Sequence, residues 1–282
     1  MKKRITARMY KVTECQELHE FHELKINNSN ILFLRSVLLS NNSFYEDENG
    51  NWLLKFFLGE QYEQVIFIDF SQKELSYKNL QVLSLSKLII DDSAFDDLLA
   101  EEISLEIRKS KAIRKHHFIE YPSHYEHIDG RGMGFYSRIP DQEYNFSRRL
   151  ILLALAYAYL GAIENISNRL SECICCQSDD IEKLRQLYIE ATKFKAVFLF
   201  HQPVLMKNVS LIETWKYLDK VFDINSASDE LLEQLSSVHY ILNLDDDKKR
   251  KNIEDLKIKR QEKWNMLFTM LGIFIGLIEL FK

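Results

Sequence analysis

The sequence predicts an α+β chain: an N-terminal β-rich domain, a C-terminal helical bundle, and a long final helix that enters a single C-terminal transmembrane helix. Three observations predict it. Residues 31–90 hold short apolar or alternating runs of strand length. From Asn145 onward the apolar residues recur at helical spacing. Trp264 to Phe281 reads WNMLFTMLGIFIGLIELF, apolar or glycine apart from Asn265, Thr269 and Glu279. The expected division is a β-rich cytosolic domain over 1–90, a helical cytosolic domain with a basic loop over 91–263, and a transmembrane helix over 264–282.

Composition narrows the class. The chain has 282 residues, 46% hydrophobic and 28% charged. That excludes a disordered chain, a collagen-like chain and one made wholly of membrane spans. Glycine (8) and proline (3) are scarce, so regular elements should dominate. A net charge of −5 with pI near 6.0 argues against a globally basic nucleic-acid binder. The opening Met1–Arg8 is basic but lacks the apolar stretch of an export signal, so a cytosolic body is expected. Three clustered cysteines (Cys173, Cys175, Cys176) and the distant Cys15 make no disulfide framework. A zinc site there would need further ligands, His201 being the nearest, and small apolar residues at a helix end are the better reading. No enzyme signature appears, and no catalytic residue, cofactor or metal is assigned.

Taken in order, Thr13–Leu24 reads as a helix, with His19 and His22 as surface histidines. ILFLRSVLL, NWLLKFFL, QVIFIDF and LQVLSLSKLII read as strands. Asn49-Gly50 before Trp52 marks a hairpin, because both positions tolerate positive φ. A helix is expected from Asp92 or Ser93, acidic at its start and basic at its end. Residues 116–144 carry two prolines, three glycines and four histidines, and read as the chain's main irregular connection. RRLILLALAYAYLGAI reads as a buried core helix rather than a second span. Capping signals stand at Asp179…Glu182, Ser210…Glu213 and Ser228 or Asp229, and the last helix is expected from about Asp245.

The tail carries the location. Eighteen helical residues at about 1.5 Å each reach about 27 Å, close to the hydrocarbon thickness of about 30 Å. A water-soluble helix of that length would show a polar stripe, and this one shows almost none. Lys248, Lys249, Arg250, Lys251, Lys257, Lys259, Arg260 and Lys263 precede the segment, and Lys282 alone follows. The positive-inside rule then places the bulk of the chain in the cytoplasm, at the inner (cytoplasmic) membrane, with the lipid bilayer as partner. Gly272 and Gly276 form GxxxG, which favours close helix association and a homo-oligomer, with a tetramer as the expected number. Thr269 is a candidate for cross-helix hydrogen bonding or pore lining. Glu279 reads either as a ring of carboxylates facing water in an oligomer or as a marker of the outer headgroup level.

The basic stretch supplies the candidate ligand site. Arg108, Lys109, Lys111, Arg114, Lys115, His116 and His117 lie together in sequence with no carboxylate between them, and Arg131, Arg138, Arg148 and Arg149 follow. Arginine forks match phosphate oxygens, and the interleaved Tyr121, Tyr125, Phe135 and Tyr136 offer stacking faces. A nucleotide or short oligonucleotide is the expected ligand, with solvated, salt-bridged surface as the competing reading. Gly130-x-Gly-x-Gly lacks the Lys-Ser/Thr of a P-loop.

Over roughly Leu231–Phe281, a charged helix running directly into apolar sequence resembles the layout of CorA-like membrane proteins. Gly272-Ile-Phe stands where those transporters carry Gly-Met-Asn, and one span replaces two, which argues against magnesium transport. The arrangement is also similar to transmembrane effectors of bacterial antiphage systems of the Hailong type. That resemblance implies a ligand-gated ion channel or pore, and a partner nucleotidyltransferase whose oligonucleotide product controls it. The alternatives are a membrane-anchored binding or scaffold protein without a pore, and a hydrolase or nuclease using the 116–149 histidines.

Overall fold

The architecture comes from a computed structural model that describes residues 2–13, 21–71, 79–175 and 181–280. In chain order the elements are β1 (Lys3–Val12), β2 (His22–Glu23), α1 (Ser36–Ser40), β3 (Ser43–Glu46), β4 (Trp52–Phe56), β5 (Gln64–Asp69), β6 (Leu80–Ile90) and α2 (Asp97–Arg108). Then follow β7 (Ile119–Glu120), β8 (Tyr125–Asp129), β9 (Gly132–Ser137), α3 (Glu143–Cys175), α4 (Ile181–Lys193), α5 (Val209–Phe222) and α6 (Ile224–Leu280). The chain is α+β, as expected.

The strands form one nine-stranded sheet in the order β2-β3-β4-β5-β1-β6-β9-β8-β7. Every pairing is antiparallel except β6 with β9. The Asn49-Gly50 signal is realised as the β3–β4 hairpin, with Gly50 at φ 80°. Residues 116–144, expected as an irregular connection, instead supply β7, β8 and β9, so three strands of the sheet lie beyond residue 90. The glycines there serve packing. A Cβ on Gly132 would overlap the Leu85 carbonyl of the neighbouring strand, so only glycine lets β9 lie against β6.

Successive residues of the central strands serve opposite faces, because side chains alternate along a strand. Leu88 and Phe135 enter the main core, while Ile89 and Tyr136 enter a smaller one with Phe95, Ala100, Ile103 and Phe118. α2 therefore covers one face, and α3 with the helical layer covers the other. Leu150–Ala156 of α3 are at most 1% exposed. α3 is long and apolar enough to cross a membrane, but its enclosure between sheet and helices gives it a core role, as the sequence predicts. Each leucine or isoleucine side chain there contributes about 1.5–3 kcal/mol.

Several local expectations fail for identifiable reasons. Ile31–Leu39 is not a strand; Leu34 bridges Val204, and the Leu205 amide donates to the Phe33 carbonyl, so the segment pairs with distant chain and ends in α1. α2 starts at Asp97, because Asp96 caps the Leu99 amide while Asp91 accepts from the Ser93 amide in a preceding turn. Ser210 is not an N-cap; it lies inside α5, where its hydroxyl accepts from Arg149. Ser228 and Asp229 lie within α6, which starts at Ile224 rather than near Asp245. Of the helix expected over Thr13–Leu24, residues 14–20, with Cys15 and His19, lie outside the described residues, and His22–Glu23 form β2. Cys176 and Asp179 also lie outside them; Cys173 is a free thiol.

Candidate functional site

The predicted basic residues separate into three groups. The first is surface charge already paired. Arg108 donates through Nε and Nη2 to Asp129, each at 2.6 Å. Lys111 reaches Glu101 at 3.1 Å, and Arg114 pairs with the same carboxylate. The absence of carboxylates within the 108–117 stretch is thus compensated from α2 and β8. Burial works against the charge on Asp129, but His127, the Arg131 amide and Arg108 outweigh it and hold the carboxyl at about 2.

The second group is exposed. Lys109 takes the left-handed position that ends α2. Lys115 lies 6.0 Å over the Tyr125 ring, and Arg131 and Arg138 flank β9. The His116 and His117 rings are 4.0 Å apart. His117 Nδ1 accepts from the Arg114 amide, and the His127 ring bonds the His117 carbonyl at 3.0 Å. Loss of hydration, with His116, His127 and Arg108 nearby, pushes the His117 pKa below its usual value. Among the described residues no group of three His, Cys, Asp or Glu is arranged to hold a metal.

The third group is Arg148 and Arg149, adjacent on α3 but different in environment. Arg149 is 1% exposed. Its Nε donates to Glu126 Oε2 at 2.7 Å, Nη2 to the Ser210 hydroxyl at 2.7 Å, and Nη1 to the Asn145 carbonyl at 3.2 Å. Glu126, on β8, has no exposure and also accepts from Thr214 of α5 at 3.2 Å. His124 Nε2 stands 3.4 Å from the same oxygen. Burial opposes the Glu126 charge, yet Arg149 and His124 hold the carboxyl below its usual range. Oε1 of Glu126 is buried with no hydrogen-bond partner among the described residues.

The His124 ring lies between Tyr121 and Phe135, at 4.7 and 4.4 Å and nearly parallel to both. Burial and Arg149 depress its pKa more than Glu126 raises it, which favours the neutral ring. Ser123 Oγ is 2.9 Å from Nδ1. This serine–histidine–carboxylate chain borders neither of the two described clefts, and its geometry is that of a buried joint between the sheet and α3 and α5. Arg148, by contrast, makes no ion pair among the described residues. Its guanidinium lies 5.4 Å over the Tyr144 ring, and it lines a cleft.

The apolar end is the third feature. α6 is 57 residues long, about 86 Å. Its first turns pack on α3 and α4. From Lys251 to Met270 every residue is exposed, and Trp264, Met266, Leu267, Phe268 and Met270 are each more than half exposed. The Thr269 hydroxyl donates to the Asn265 carbonyl one turn back, at 2.8 Å. Gly272, Gly276 and Glu279 lie on the helical backbone that continues to Leu280.

No family model, curated protein or solved structure matches the chain. The likeness to CorA-like proteins and to antiphage effectors therefore rests on layout alone.

Proposed function

We propose that the chain is a membrane effector without enzymatic activity. In this reading its body faces the cytoplasm and its last helices associate in the inner membrane as a homo-oligomer, with a tetramer as the expected number. The observation that carries it is the exposed apolar stretch of α6, where Trp264, Met266, Leu267, Phe268 and Met270 are each more than half exposed. A water-soluble monomer would leave this surface exposed at a cost of about 25 cal/mol for each Å² of apolar area, so lipid or other copies must cover it. The lysine and arginine excess before Trp264 favours lipid with the body inside. GxxxG at Gly272 and Gly276 favours association within the bilayer.

The finer reading is a ligand-gated ion channel or pore in antiphage defence, controlled by a nucleotide or oligonucleotide from a partner nucleotidyltransferase. A ligand gates by binding one conformation of the body more tightly. The continuity of α6 from body to tip supplies the mechanical link. The second reading, an anchored binding or scaffold module without a pore, is favoured by the Thr269 hydroxyl being satisfied inside its own helix.

Fractionation and a potential-sensitive dye test both. Full-length protein should pellet with membranes and resist carbonate extraction, and deletion of 264–282 should release it. Free solubility of the intact chain in detergent-free buffer sinks the proposal. Replacing 264–282 by an unrelated hydrophobic helix should abolish depolarisation if a pore forms; retained biological activity selects the scaffold.

A further inference from the structure

The cleft beside Arg148 has a chemistry that the proposed function leaves unassigned. It is about 210 Å³ in volume and lies where the turn before α5 meets α3 and the 26–33 segment. That segment turns sharply: Asn27 and Asn28 both take left-handed backbone, at φ 52° and 57°, which asparagine tolerates, and Ile26 and Ser29 bond to each other across it. Arg148, Lys207, Asn208, Ser29, Asn30 and Phe33 line the cleft, and no carboxylate does. Arg148 is half-buried yet has no ion-pair partner among the described residues, although most buried or half-buried cations elsewhere in the body do; Lys207 is exposed and likewise unpaired among them. The buried amide nitrogen of Asn208 donates to nothing among the described residues. A buried donor without an acceptor costs about 1–3 kcal/mol, which marks the turn before α5 as a strained wall of the cleft.

We propose that this cleft binds the phosphate group of a small soluble molecule, with the Arg148 guanidinium and Lys207 ammonium as its counter-charges. A planar guanidinium fork beside a lysine suits tetrahedral oxyanions. The volume is below the roughly 300 Å³ of ordinary ligand pockets, so it holds a phosphate head with a short attached group. A lipid headgroup carries the same phosphate chemistry, and the phosphatidic acid arm of the test separates the two sources. Occupancy would act directly on α5, because Asn208 immediately precedes its first residue and Ser210 is tied to Arg149. The site thus deepens the ligand control in the proposed function and rests on that reading only for its consequence. Binding itself can be measured in detergent, whether or not α6 spans a bilayer.

The test is calorimetric titration of the full chain in a neutral, phospholipid-free detergent with inorganic phosphate and pyrophosphate at constant ionic strength. Pyrophosphate should bind more tightly than phosphate. Arg148→Gln and Lys207→Gln should each weaken binding about tenfold, the loss expected for one charge-assisted contact. Lys220→Gln, the same charge change elsewhere on α5, should leave it unchanged. Asn208→Asp should abolish binding while keeping or raising the thermal midpoint, since aspartate is a favoured residue before a helix. The site is overturned if neither ligand binds at millimolar concentration, or if binding survives Arg148→Gln and Lys207→Gln together. A soluble short-chain phosphatidic acid that binds through the same two residues more tightly than pyrophosphate overturns the assignment to a soluble ligand.

Discussion

A carboxylate with no solvent exposure stays charged only where cations and donors offset its lost hydration, and at Glu126 they gather on one oxygen. Arg149, His124 and Thr214 all face Oε2, while Oε1 has no partner among the described residues. Removing one partner of such a pair leaves the other buried and unmatched. Glu126→Gln should therefore lower stability by about 3–5 kcal/mol in chemical denaturation, and Glu126→Leu combined with Arg149→Met should recover most of that loss. His124 adds a pH signature. Its folded pKa lies below the ordinary 6.5, so the unfolded chain takes up the proton first as pH falls. Stability should decline as pH drops through about 6.5, with His117 acting in the same direction. A second decline should begin below the ordinary 4.5 of Glu126, whose folded pKa is also depressed. In urea melts against pH, His124→Asn should flatten the first decline; an unchanged slope would refute a buried neutral ring. In the sequence Glu126 reads only as an acid among cations. Its partnership with Arg149 spans 23 positions and two elements, and no local pattern carries that. A still longer separation in sequence hides Lys207 from Arg148.

Elements were legible where the signal is local. The alternation of β4, β5 and β6, the Asn-Gly turn and the unbroken apolar face of α3 each follow from residues a few positions apart. The failures share a cause. Ile31–Leu39 pairs with 203–205, and β9 lies parallel to β6 through a crossover, so their state is set by chain far away in sequence. The helix start near Asp245 was misplaced because polar residues interrupt the apolar face of α6 just where it leaves the body. That departure makes α6 separable by mutation. Lys257 stands in the stretch 251–270, where every residue is exposed. Lys257→Pro should break the helix locally, at about 3 kcal/mol, yet leave the body's thermal midpoint and membrane fractionation unchanged. Any depolarisation that depends on transmission along α6 should disappear. A lowered midpoint would show that the stalk packs on the body after all.

At the level of the whole molecule, a mixed sheet with helices on both faces sends out one long helix whose stretch 251–270 is exposed throughout. The α+β class was readable from composition and periodicity. The extent of the sheet was not, because its strands come from both sides of the expected boundary at residue 90. Both margins of the sheet are minimal: β2 is His22–Glu23 and β7 is Ile119–Glu120, two residues each, exposed and carrying charge. So short a border offers a neighbouring molecule few free backbone groups to zip onto, and its glutamates resist such stacking. Bodies crowded together by their tails can thus stay side by side without fusing into a continuous ribbon, a safeguard for any protein that must gather at high local density and still come apart.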